Sequence, residues 1–255
     1  MKKFLNKISI KTPVKIAILV VVFVAVAGFA GNRYNTRTCS EINVRLNGIE
    51  DNYFINEEDV VSALTYNGVP LSGNSFENIN LKDLEIKILK QQYIKSAEVF
   101  RGLGGNLVVE AELVKPVARL VQNMAADAYI GIDGRIIPIS DRYTPRMMII
   151  TGDYVKSIIT GKLTEQPGNP IMNLIKKIEE DEFLKAQIAQ IDIDKKGNVI
   201  LYQQVGKQRI ELGKPVDLDK KLKKLEVFYS EILPRKGWNH YDRVNLAYED
   251  QIICE

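Results

Sequence analysis

Read by its hydrophobic and polar positions, the chain opens with one stretch unlike the rest. From Ile16 to Ala30 no residue is charged or carries a strong hydrogen-bonding side chain. As a helix, Val14–Gly31 would span about 27 Å at roughly 1.5 Å per residue, close to a hydrocarbon core of about 30 Å. A single lipid-crossing segment must satisfy its backbone groups internally, which a helix does. The expected anchor residues are Val14, Lys15 and Ile16 at the near end, with Ala30, Gly31, Arg33 and Tyr34 at the far end. Lys15 would snorkel to the near headgroups, while Arg33 and Tyr34 hold the far side. Lys2, Lys3, Lys7, Lys11 and Lys15 precede Gly31 without an acid, and only Arg33 and Arg37 follow closely. The positive-inside rule therefore places the N-terminus in the cytoplasm and everything after Gly31 outside. A cleaved signal peptide, with Ala25-Val26-Ala27 as its processing site, is the alternative reading.

Beyond the basic tail (1–13) and a polar stalk (32–38), the pattern changes to short alternating and helical runs. Residues 39–115 read as a first unit. Ile42, Val44 and Leu46 alternate with polar residues as a half-buried strand. Asn56 precedes Glu57, Glu58 and Asp59, acids suited to a helix first turn. Val60, Val61 and Leu64 form that helix's apolar face, and Asn67-Gly68 ends it. After the loop VPLSGNSFEN, Asn80 caps a second helix with Leu81, Leu84 and Ile88 on one side. Ala97 and Val99 sit in a strand, and Gly102–Asn106 form a turn. Leu107, Val109, Ala111 and Leu113 alternate with Val108, Glu110 and Glu112 as a third strand. The predicted order is β-α-α-β-β.

Lys115-Pro116 interrupts regular pairing and marks a boundary. In residues 116–255, strands are predicted at 118–122, 129–132, 136–139 and 146–151. Asn169-Pro170 starts a helix with Ile171, Leu174, Ile175 and Ile178 as its buried stripe. Strands at 188–194, 199–204 and 208–212 follow. Asp217 is positioned to cap a helix bearing Leu218, Leu222, Leu225, Tyr229 and Ile232, which Pro234 stops. The stretch Val244-Asn245-Leu246-Ala247-Tyr248-Glu249 alternates as a last strand. The expected fold class is α+β: one N-terminal transmembrane helix, the β-α-α-β-β unit, and a second mixed α/β domain on a largely antiparallel sheet.

Charge and composition narrow the functions. The chain has 255 residues and a net charge of +3; with the five N-terminal lysines set aside, 30 basic and 32 acidic residues remain. That balance excludes a basic nucleic-acid-binding ectodomain. Cys39 and Cys254 form no metal or redox spacing, though oxidising conditions outside the cytoplasm would permit a bridge. His240 stands alone as histidine, and no HExxH, CxxC, GxxxxGK[ST] or SxxK occurs. The acids of 57–59 and 179–182, and Lys220, Lys221, Lys223 and Lys224, read as wet helix faces. No catalytic, cofactor or metal residue is assigned, so function is expected in surfaces. The last strand is the leading candidate, because a sheet edge offers free backbone donors and acceptors. Its internal placement, completing the core, is the other reading.

The pattern also resembles a known family, the FtsQ/DivIB cell-division proteins. Glu112-Leu113-Val114-Lys115-Pro116-Val117-Ala118 is similar to the family's acid-lysine-proline-alanine junction. Tyr129, Asp133-Gly134, Pro138 and Ser140 resemble its hairpin, and Thr151-Gly152 the glycine that follows. Val244–Tyr248 resembles its terminal VDLRY strand, with Asn245 and Ala247 in place of Asp and Arg. The segment Tyr248–Cys254 resembles the Bacteroidetes-like branch. The resemblance implies a POTRA domain followed by the family's β domain, in a non-enzymatic, single-pass divisome component of the bacterial inner membrane that collects at the septum. It implies no cofactor. It implies binding of an FtsB/DivIC-like and FtsL-like coiled-coil pair through Val244–Glu249, with Tyr248 as the interface tyrosine. The pair would couple it to septal peptidoglycan synthesis, and the POTRA unit would contact other divisome proteins. A POTRA-bearing envelope-assembly or secretion factor and an anchored wall enzyme are the rival readings.

Overall fold

The computed structural model describes residues 12–35, 38–48, 53–66, 69–160 and 168–255. Thr12–Asn35 form one helix, α1. Its side chains from Ile16 to Val26 are exposed, a run about 16 Å long at the usual rise. Among the described residues, no helix is long and apolar enough to cross a membrane. Of the expected anchor residues, Val14 and Ile16 are exposed; the side chains of Lys15, Ala30, Gly31, Arg33 and Tyr34 lie outside the described residues, as does the tail through Lys11. Because α1 continues to Asn35, positions 32–35 of the expected stalk are helical.

The rest packs as two compact units that are not contiguous in sequence. One is built from residues up to Arg45 with Glu57–Lys90 and Ala97–Ala111, the other from Leu46–Asn56, Gln91–Ser96 and Glu112–Glu255.

The segment from Ile42 to Leu113 has the predicted β-α-α-β-β order with an added hairpin. Its elements are β1 (Ile42–Asn47), α2 (Glu57–Ala63), β2 (Thr65–Tyr66), β3 (Val69–Pro70), α3 (Leu81–Leu89), β4 (Ile94–Arg101) and β5 (Leu107–Leu113). The sheet order is β1-β5-β4, so β5 is central. That explains the burial of Val108, which alternation assigned to the wet face. The Asn80 carboxamide oxygen accepts from the Lys82 amide at 3.1 Å and starts α3, as expected. The expected stop at Asn67-Gly68 lies outside the described residues; α2 already ends at Ala63, and Thr65–Tyr66 pairs with Val69–Pro70. The loop through 69–78 is therefore partly structured, with Leu71 and Phe76 in the core. Cys39 is buried and free, its thiol pushed up by that burial.

The second unit is organised by a nine-stranded sheet. Its strands are β6 (Pro116–Leu120), β7 (Ala128–Gly131), β8 (Ile136–Pro138), β9 (Met148–Thr151), β10 (Ile188–Ile193), β11 (Val199–Gln203), β12 (Arg209–Gly213), β13 (Arg243–Asn245) and β14 (Ile253–Cys254), in the order β14-β13-β12-β11-β10-β9-β6-β7-β8. Five of its eight joints are antiparallel, in keeping with the expected largely antiparallel sheet. The β6–β9, β9–β10 and β12–β13 joints are parallel. Two of these follow from helical crossovers, α4 (Val155–Thr160), α5 (Pro170–Glu180) and α6 (Glu182–Gln187) between β9 and β10, and α7 (Leu218–Val227) with α8 (Leu233–Lys236) between β12 and β13. Pro116 opens β6 instead of interrupting it, at the position where a strand tolerates a missing donor.

Helices cover one face of this sheet. Asn169 caps α5 through the amides of Ile171 and Met172, and Ile171, Leu174, Ile175 and Ile178 are all buried as predicted. They join Ile150, Ile191, Leu201, Ile210, Val244 and Leu246 in one core, completed by Leu218, Leu225, Phe228 and Leu233. Two expectations about α7 fail. Asp217 sits at its start with a left-handed backbone (φ +51) and makes no side-chain cap. Pro234 does not end the helix either. A π-helical turn at Phe228–Ile232 loosens the ladder ahead of Pro234, and the helix stops at Gly237, whose φ is +101.

Candidate functional site

The predicted last strand is shorter than expected and lies inside the sheet. Only Arg243–Asn245 are extended, and they are paired on both sides, parallel with β12 and antiparallel with β14. Two local bonds explain the strand's end. The Leu246 amide still donates to the Glu211 carbonyl at 2.9 Å. The next amide, Ala247, donates to the Asn245 side-chain oxygen at 2.9 Å. That turn withdraws the backbone from the ladder.

The six residues expected to bind a partner are thus split. Val244, Asn245 and Leu246 are buried, while Ala247, Tyr248 and Glu249 are exposed in the turn that follows. Tyr248 is 53 % exposed and no longer shares a face with Val244 and Leu246. The edge itself is β14, which alternation did not single out. Arg243 and Glu255 exchange both backbone hydrogen bonds, at 3.1 and 2.9 Å. In an antiparallel pair the neighbouring residue then turns its groups away, so Cys254 directs its N–H and C=O to the open side. Its thiol is free, and burial of the side chain pushes it up.

A charged cluster braces this end of the sheet on the face away from the helices. Arg243 donates from Nε and Nη2 to the two Glu211 oxygens, each at 2.8 Å, and from Nη1 to Glu255 at 2.8 Å. Asn245 Nδ2 reaches Glu211 at 3.0 Å, and Arg209 reaches it at 3.1 Å. The hydrogen bonds from Arg243, with the charges of both arginines, hold the Glu211 carboxyl below the usual range, and the bonds to Glu211 and Glu255 hold Arg243 above its own.

The lysines of α7 require a second correction. Lys221 is buried, and its ammonium donates to the carbonyls of Leu212 at 2.9 Å and Lys214 at 2.7 Å. Burial, with the Lys224 charge nearby, lowers its pKa. Lys224 donates to the carbonyls of Leu246 at 2.7 Å and Tyr248 at 2.5 Å. Lys220 and Lys223 remain on the wet face, paired with Glu249 and Glu226. The acidic run at 179–182 is likewise not all wet. Glu179 pairs with Lys115 and Lys185, and Asp181 caps α6 through the Leu184 amide.

Catalytic chemistry finds no assembled set in the described residues. His240 is exposed and packs edge-on against Tyr241 at 4.7 Å. Among the described residues, no cluster of His, Cys, Asp and Glu could hold a metal ion.

Comparison with known proteins agrees with this architecture. A family described as FtsQ/DivIB, C-terminal related, matches residues 115–255, and a POTRA-like domain family matches residues 37–112. A search of curated proteins finds no matching relative. The first match takes in just over half of the 255 residues and contains the whole run from β6 to β14. With a POTRA-like domain before a C-terminal domain of this kind, the chain belongs to the FtsQ/DivIB family of non-catalytic cell-division scaffolds.

Proposed function

We propose that this protein is a single-pass inner-membrane scaffold of the bacterial division septum that binds an FtsB/DivIC-like and FtsL-like coiled-coil pair at the β14 edge. The observation that carries the reading is the outward-facing N–H and C=O of Cys254, with Tyr248 exposed in the turn between β13 and β14. An extended segment of the partner would add to β14 through main-chain bonds, with side-chain selection by the 247–249 turn. Of the expected binding residues, Ala247, Tyr248 and Glu249 make direct contact, while Val244, Asn245 and Leu246 hold the strand beneath them. Septal peptidoglycan synthesis is coupled through the bound pair, and residues 39–115 serve upstream contacts with other divisome proteins. The cytoplasmic tail, the span at 14–31 and the export of the remainder belong to the same reading. Support comes from the exposed apolar side chains of α1, which water would oppose and lipid would accept.

The test is recovery of the coiled-coil pair from detergent-solubilised membranes with the full-length protein. Cys254→Pro removes an outward-facing donor and leaves the β13–β14 bonds at Arg243 and Glu255 in place. Tyr248→Ala leaves the backbone intact. Both variants are expected to lose most of the recovered pair while keeping the wild-type thermal transition. Undiminished recovery with both would overturn the edge as the binding site.

A further inference from the structure

We propose that Lys224 is the positioning residue that sets the β14 edge and Tyr248 for binding; this rests on the function proposed above and names the part of that site that keeps it in register. After Ala247 leaves the ladder, the backbone must reverse within a few residues to return as β14. The reversal brings carbonyl oxygens together, those of Leu246 and Tyr248 at 2.7 and 2.5 Å from the Lys224 ammonium and that of Gln251 at 3.5 Å. Converging carbonyl dipoles repel each other, and a cation placed among them reverses the sign of that interaction. Asp250 in the same turn has a left-handed backbone, φ +54, which disfavours the reversal unless contacts hold it.

The ammonium is supplied from a fixed post. Leu225 and Phe228, one and four positions further on, are completely buried in the core, and Lys221, one turn earlier, ties the helix to the end of β12 through the Leu212 carbonyl. The edge strand is short: β14 pairs over two residues and the adjoining Arg243–Glu255 backbone bonds, with the Arg243–Glu255 side-chain bond and the packing of Ile252 and Cys254 on the core beside them. Lys224 thus joins the helical layer to the backbone of the turn on which both Tyr248 and β14 depend, while Lys220 reaches only the exposed Glu249 carboxylate of that turn. Its role is distinct from that of Lys223, whose ammonium meets only the exposed Glu226.

The test compares full-length wild type with Lys224→Met, Lys224→Arg and Lys223→Met. Hydrogen exchange is read at the Arg243 and Glu255 amides, with Ile191 and Leu201 as core references, and recovery of the coiled-coil pair is measured beside it. Lys224→Met keeps the aliphatic stem and removes the donor. Exchange at the two edge amides should quicken by about tenfold or more with the core references unchanged, and recovery should fall in parallel. Lys224→Arg should restore both, and Lys223→Met should resemble wild type. Unchanged edge exchange in Lys224→Met overturns the inference, as does acceleration that spreads equally to Ile191 and Leu201. A wild-type protein with a protected edge that recovers no pair sinks the proposed function instead, and exchange alone then judges Lys224.

Discussion

Arg243 on β13 grips Glu211 on the neighbouring parallel strand with two hydrogen bonds of 2.8 Å, one to each carboxylate oxygen. A two-pronged guanidinium–carboxylate contact fixes geometry as well as adding attraction. Here it ties the strand next to the edge to the strand beneath it, and Arg243 extends the tie to Glu255 beside β14.

This contact makes the edge acid-sensitive. The Glu211 carboxyl titrates below its ordinary range in the folded protein, chiefly through the Arg243 hydrogen bonds. Its stabilisation is complete above the unfolded-state value, about 4.3, and is lost as pH falls through the lower folded value. Denaturant midpoints followed from pH 7 downward should drop more steeply below about pH 4.3 for wild type than for Glu211→Gln. Parallel curves would contradict the assignment.

Gly213 closes β12 against the turn that carries Tyr248. Its φ is +69, and a Cβ there would stand 3.0 Å from the Ala247 Cβ. Gly213→Ala should cost about 1–2 kcal/mol, from the left-handed backbone and this close approach. Adding Ala247→Gly should restore only the steric part. Chemical denaturation of the single and double variants measures both shares, and full restoration would assign the whole cost to the steric contact.

Gly152 is more demanding. Its φ is +100, and a Cβ would fall 2.2 Å from the Ile193 carbonyl oxygen, which is backbone at the parallel β9–β10 joint and cannot swing aside. Gly152→Ala should destabilise by about 3 kcal/mol or more. A thermal transition within the error of wild type would show that the joint can yield.

Tyr129 stacks on Phe54 at 5.3 Å, and its hydroxyl is the one buried side-chain polar atom among the described residues without a hydrogen-bond partner. An unsatisfied buried hydroxyl costs about 1–3 kcal/mol. Tyr129→Phe should therefore be neutral or stabilising, read as an unchanged or higher melting temperature. A loss of more than about 1 kcal/mol would mean that the hydroxyl is bonded in solution.

Much of the local structure is written in short-range chemistry. Asn169-Pro170 starts α5, and every member of the Ile171–Ile178 stripe is buried, because cap and period are properties of neighbouring residues. The strands from β6 to β12 lie close to where alternation puts them for the same reason. The Tyr129, Asp133-Gly134 and Thr151-Gly152 motifs fall at the β7–β8 hairpin and the β9–β10 joint, where Gly134 and Gly152 take the positive φ that favours glycine.

The site was less legible, because its deciding contacts join distant segments. Whether Val244–Glu249 forms an edge depends on what lies beside it, and alternation cannot name a strand's neighbours. Only the folded sheet puts Ile253–Cys254 outside Arg243–Asn245. The α7 lysines look alike in sequence, yet Lys221 and Lys224 find backbone carbonyls 7 to 27 residues away, while Lys220 and Lys223 stay wet. The sequence by itself determined most of the helices and strands, such as α3, α5 and the run from β6 to β12, and the apolar side of α5. The tertiary structure alone decided which backbone groups remain unpaired, since pairing is settled by every other strand at once.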